Sequence, residues 1–101
     1  MSRTRLSDEE VTRRLGALDG WSVAVGKLHR ELRFRDFVEA FGFMASAALV
    51  AERMNHHPEW ANVYSTVRID LVTHDAGGIT ENDFKLAAAF DQLARGRATG
   101  A

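Results

Sequence analysis

No cysteine occurs anywhere in this chain, and proline only once, at Pro58. Without cysteine no disulfide can staple the fold, so its stability must come from a packed core or from association with other copies. A composition of 46% hydrophobic residues in 101, with a single proline, describes one compact globular domain over residues 1–101, with a frayed tail expected from about Arg95. No apolar run approaches the roughly 20 residues that span a bilayer, and Met1 to Glu10 lacks the hydrophobic centre of a secretory signal. A cytoplasmic protein with no membrane partner is therefore expected. The formal charge is only −1 and its signs are interspersed, so there is no basic stripe to neutralise phosphates and no direct nucleic-acid partner is expected.

The residues that are present divide into periodic segments. Ser7 and Glu10 make a capping box, with Leu6 and Val11 as a hydrophobic staple; Val11, Leu15 and Leu18 then recur at helical spacing until Gly20. Trp21, Val23 and Val25 alternate with small residues, Gly26-Lys27 offers a tight turn, and Leu28, Arg30, Leu32 and Phe34 alternate again, which predicts a hairpin. From about Asp36 to Met54 runs the longest helical pattern. It carries two apolar stripes, Phe37, Phe41, Met44, Ala48 and Ala51 on one side and Ala40, Phe43, Ala47, Val50 and Met54 on another. One sheet covers one stripe, so a second helix, from another copy, is expected on the other. Small residues at Ala47, Ala48 and Ala51 allow close approach, and a homodimer or homotetramer through the central helix follows.

Pro58 biases His57 toward extended backbone, so that helix is expected to stop near Asn55. Val63, Val67, Ile69 and Leu71 share one strand parity, with a turn around Tyr64-Ser65-Thr66, and predict a second hairpin. After Gly77-Gly78, Thr80 and Asp83 can cap a last helix bearing Phe84, Leu86, Ala87, Ala88, Phe90 and Leu93. The order αββαββα predicts an α+β, two-layer fold, a four-stranded antiparallel sheet with helices on one face.

Three of the four histidines, His56, His57 and His74, lie in or just after this second half, the first two beside Pro58 and Trp60. Imidazole gives and takes protons near neutral pH, so the cluster points to general acid and base chemistry. Each residue also has a plainer reading. Adjacent histidines at a helix end interact favourably with its carbonyl terminus. Glu52, one turn before His56, either orients that ring or is a solvated helix-face carboxylate. Asp83 serves as a cap, and Trp60 and Trp21 as core or interface residues, although an exposed indole suits a flat ring. His29 carries no assigned role. Zinc spacings are absent and neighbouring histidines rarely ligate one ion, so no metal and no cofactor are expected.

The stretch from Glu52 to Tyr64, then Thr73-His74 and Asp83, closely resembles the signature of the pterin-4a-carbinolamine dehydratases. The likeness extends upstream through Phe34, Asp36-Phe37 and Ala40-Phe41-Gly42-Phe43-Met44, and downstream through Gly78-Ile79-Thr80-Glu81. It implies that family's α+β fold, a homo-oligomer that is commonly a dimer or a dimer of dimers, and removal of water from a 4a-hydroxytetrahydropterin to give the quinonoid dihydropterin in tetrahydrobiopterin recycling. It also implies that the histidines matching His56, His57 and His74 form the active site, with Asp83 nearby; Glu52, Pro58 and Trp60, beside the histidines, are expected in supporting or binding roles. Gly26-Lys27 looks like a shorter first turn than animal relatives carry.

The chemistry of that reaction asks for an acid at the leaving oxygen and a base for a ring-nitrogen proton, which two imidazoles can divide without a metal. His57 and His74 are expected as the proton-transfer pair and His56 as a binding residue or alternative acid, with acid and base not distinguished. A different class stays open. Animal members of the family also act as a dimerisation cofactor for a homeodomain transcription factor, and a doubly apolar helix suits a binding or assembly role.

Overall fold

The computed structural model describes residues 4–95, so the tail expected to fray beyond Arg95 lies outside the described residues. Its elements are α1 (Asp8–Leu15), β1 (Ser22–Ala24), β2 (Lys27–Arg33), α2 (Phe37–Met54), β3 (Glu59–Val63), β4 (Thr66–Leu71), a short 3-10 turn (His74–Ala76) and α3 (Glu81–Arg95). The strands form one antiparallel sheet in the order β1-β2-β4-β3. Each hairpin is formed by sequence neighbours, and the two hairpins meet where β2 pairs with β4. The expected αββαββα architecture is the one observed.

The core lies between one face of this sheet and the two longer helices. Leu28 and Leu32 of β2 and Val67, Ile69 and Leu71 of β4 point inward, against Ala40, Phe43, Ala47 and Ala51 of α2 and Leu86, Ala87 and Phe90 of α3. Phe43 sits between two aromatic neighbours, its ring centroid 5.2 Å from Phe34 and 5.9 Å from Phe90. The alanines on the inner side of α2 let its backbone lie close to the sheet, which is why the helix packs by its small residues.

Several local expectations are corrected. The first helix ends at Leu15, not near Gly20: Gly16 caps it through a hydrogen bond to the Arg13 carbonyl, and Leu15 from the helix end and Leu18 from the connection still pack on the core. In the first hairpin the turn is Val25-Gly26, since Ala24 already pairs with Lys27. Both turn residues have positive φ, 52° and 74°, the mirror-image turn that suits strand twist but is unusual for a β-branched side chain. Val63 does not join Val67, Ile69 and Leu71 inside. It pairs with Thr66 across the hairpin and so shares the outer face, 70% exposed.

The central helix also sorts its stripes differently. Ala40, Phe43 and Ala47 cover the sheet and are fully buried, as Ala51 nearly is, whereas Phe37, Val38, Phe41 and Leu49 face out. The expected second face therefore belongs to Phe37 and Phe41, and Phe43 and Ala47 take no part in it. Asn55 ends α2 in the left-handed conformation, φ 52°, and the His56 N–H reaches back 3.0 Å to the Ala51 carbonyl. Left-handed asparagine is a common helix stop, and here it turns the chain sharply before the two histidines.

Candidate active site

The reversal at Asn55 sends His56 inward and leaves His57 outside, because consecutive residues of the extended stretch before Pro58 point opposite ways. His56 is buried and places Nε2 2.5 Å from Oδ1 of Asp83, which is itself fully buried in the first turn of α3. The other oxygen, Oδ2, accepts from the Thr73 hydroxyl at 2.9 Å and from the Thr80 N–H at 2.8 Å. The Thr80 contact is the capping interaction expected from the sequence, and the same carboxylate holds His56. Thr73 and Thr80 join their hydroxyls at 2.7 Å.

His57 is 59% exposed and bonds Glu52 through Nε2 at 2.8 Å. Glu52 therefore orients His57, not His56 as its position one turn away suggested, since the αL break carries His56 off the helix face. His74 opens the 3-10 turn that follows Thr73, and the antiparallel bridge between Thr73 and Gly78 closes the base of that loop. Its Nε2 lies 2.8 Å from Oε2 of Glu59, whose Oε1 lies 2.6 Å from Nζ of Lys27. The lysine ammonium, more than His74, holds the Glu59 carboxyl below the usual glutamate range, and Glu59 in turn raises the lysine.

These contacts close into a ring. From His56 the path runs through Asp83 to Thr73, along the chain to His74, across to Glu59, and back along the chain through Pro58 to His57 and His56. Three histidines separated by up to 18 positions are thereby gathered at one edge, where α2 ends, β3 begins and α3 begins. Pro58 is one link of the ring. Trp60 points away from it and stacks on Phe90, centroids 6.1 Å apart and planes within 15°, so one of its faces is committed to the core. Trp21 is likewise buried, its Nε1 donating to Asp91. His29 lies on the open sheet face, bonded to Asp70 at 2.8 Å, and Asp70 pairs across the strands with Glu59.

Sequence reasoning gave Thr73, Glu59 and Lys27 no role in the site. Thr73 extends the inward parity of Val67, Ile69 and Leu71, so a hydroxyl directed into the core was legible there and required a partner. Nothing in the sequence pointed to Lys27, because its approach to Glu59 depends on β4 lying between their strands. A separate cavity of about 830 Å³, lined by Leu18, Asp19, Arg30, Lys85 and Asp91 among others, includes none of the histidines.

Comparison with known proteins agrees with the signature. The family model for pterin 4 alpha carbinolamine dehydratase matches residues 4–93. A protein of Solibacter usitatus named for pterin-4-alpha-carbinolamine dehydratase is 60% identical over 93 residues, covering 92% of this chain and 98% of that protein. One of Prochlorococcus marinus strain MIT 9303, named for the same activity, is 52% identical over 96 residues, covering 95% and 100%. The crystal structure of a transcriptional coactivator/pterin dehydratase from Brucella melitensis superposes with a TM-score of 0.87 at 46% identity, covering 90% of this chain and 99% of that one. With nearly its whole length matched in sequence and in fold, this chain belongs to the pterin-4-alpha-carbinolamine dehydratase family.

Proposed function

We propose that this protein is a hydro-lyase that dehydrates a 4a-hydroxytetrahydropterin to the quinonoid dihydropterin, by histidine acid and base catalysis, as a step in tetrahydrobiopterin recycling. The observation that carries the reading is the gathering of His56, His57 and His74 at one edge, each held by a different carboxylate. Departure of the 4a-hydroxyl as water needs a proton on oxygen, and formation of the carbon–nitrogen double bond needs a proton taken from the neighbouring ring nitrogen. Imidazolium serves the first and neutral imidazole the second. Glu52, Glu59 and Asp83 orient the three rings, and neither step calls for a Lewis acid. The cytoplasm, where a reduced pterin would be recycled, is the proposed location.

The outward stripe of α2 supports a homodimer or homotetramer. Phe37, Val38, Phe41 and Leu49 stand in water on one protomer, at about 1.5–3 kcal/mol for each large side chain that a second copy covers fully. The same face is the specific observation behind a second reading, a non-catalytic dimerisation or assembly role; the Brucella protein is named a transcriptional coactivator as well as a pterin dehydratase.

Purified protein added to a chemically generated 4a-carbinolamine tests the choice. Accelerated dehydration, followed by ultraviolet absorbance, is expected. Decay at the uncatalysed rate would overturn the enzyme reading and favour the binding role.

A further inference from the structure

The hydrogen bonds behind His56 run in one direction. The Asn82 N–H donates to the Thr80 hydroxyl oxygen at 3.2 Å, so the hydroxyl hydrogen of Thr80 is free to turn toward Thr73, 2.7 Å away. Thr73 has one hydroxyl hydrogen of its own, directed at Asp83 Oδ2, and therefore accepts from Thr80. That carboxylate oxygen also receives the Thr80 N–H. Asp83 thus takes two donors on one oxygen and presents the other to His56. A carboxyl is a much stronger acid than an imidazolium, so the hydrogen in the 2.5 Å contact belongs to Nε2 of His56. Thr73, Thr80 and Asp83 are all buried, and bulk water does not compete to reverse the chain.

A neutral imidazole with its hydrogen on Nε2 carries its lone pair on Nδ1. Among the described residues no group bonds to that nitrogen, and the His56 side chain keeps 7% of its surface open. We propose that the one-way chain from Thr80 through Thr73 to Asp83 makes Nδ1 of His56 the proton acceptor of the dehydration, with Thr73 and Thr80 as positioning residues. The assignment rests on the reaction proposed above, whereas the tautomer it requires is measurable without substrate.

In the balanced step the carbon–oxygen bond at C4a breaks and its electron pair leaves with the hydroxyl, which takes a proton from the imidazolium of His57 or His74 and departs as water. The hydrogen on the adjacent ring nitrogen passes to His56 Nδ1, and the electrons of that nitrogen–hydrogen bond let the nitrogen complete the double bond to C4a. His56 is then an imidazolium beside the Asp83 carboxylate. This places it as the base, where the sequence suggested a binding residue or an acid.

Nitrogen-15 NMR of the wild-type histidines, at a pH where His56 is neutral, reads the tautomer directly. Hydrogen on Nε2 and a bare Nδ1 are expected; hydrogen on Nδ1 in an enzyme that turns over would overturn the assignment alone. Thr73→Val keeps the shape and removes the donor, and should lower kcat about tenfold with little change in KM, while the His56 hydrogen stays on Nε2 because the Asp83 carboxylate still accepts it; Thr73→Ser should restore kcat within about twofold. A folded Thr73→Val protein with wild-type kcat would overturn the part given to the hydroxyl chain, and if that variant does not fold, the wild-type spectrum decides. Absence of turnover in the wild type removes the function and the acceptor role together, and leaves the tautomer standing as a structural result.

Discussion

Glu59 joins His74 to Lys27, with one carboxylate oxygen 2.8 Å from the imidazole and the other 2.6 Å from the ammonium. A residue beside Pro58 therefore ties the 3-10 loop to the first hairpin. With Glu52 holding His57 and Asp83 holding His56, no imidazole of the site is left to find its own orientation.

Replacing His57 and His74 singly by alanine should lower kcat by about 10²–10⁴, the usual range for a general acid, in the variant that loses the proton donor, without unfolding either protein. Both rings are largely exposed and neither belongs to the core. Turnover with the carbinolamine, alongside circular dichroism of each variant, is the measurement. Near-wild-type kcat in both variants would remove the acid–base assignment.

Lys27→Met should let the Glu59 carboxyl rise toward the ordinary glutamate range, since the lysine is the largest cause of its lowering. The sign for stability follows from a depressed carboxyl. The pair stabilises the fold above the ordinary glutamate range, and that contribution disappears as pH falls through the lowered value of Glu59. Both side chains are partly open to water, so the effect should shrink with salt. Carbon-13 NMR titration of the Glu59 carboxyl in the two proteins is the check, and an unchanged midpoint would count against the coupling.

Phe41→Glu should convert an oligomer to folded monomers, because this ring is 57% exposed on the outward stripe and touches Phe37, centroids 5.8 Å apart. A charge at Ala47 should act differently, destabilising the protomer itself, since that position is sealed against the sheet. Light scattering at micromolar concentration distinguishes the cases. A wild-type monomer would show that the stripe does not bind a second copy.

Much of this arrangement is local, and local features were legible. The Ser7 cap, the halt before Pro58 and the Thr80–Asp83 contact each depend on residues within a few positions of one another. What escaped depends on the chain meeting itself. Val63 reads as a core residue by parity until the hairpin pairs it with Thr66 and turns it outward. Two apolar stripes on α2 are plain from their spacing, but which one meets the sheet is decided by packing, where the small side chains of Ala40, Ala47 and Ala51 permit closer contact than Phe37 and Phe41 would. The histidines could be named from the sequence, and the family signature placed them together. Their carboxylate partners could not all be named: the αL turn at Asn55 exchanges which ring meets Glu52, and Lys27 arrives from two strands away.

Every histidine of this protein faces a carboxylate, His29 at Asp70 included. The four together outweigh the net charge, which is −1 with all of them neutral and reaches +3 with all of them protonated. The isoelectric point of about 6.4 accordingly lies where imidazoles ordinarily exchange protons. Colloidal repulsion between molecules is weakest there, so solubility should pass through its minimum near that pH. A pH–rate curve for this enzyme then records two processes at once, proton transfer at the site and clumping of the protein. Light scattering recorded at each pH separates them.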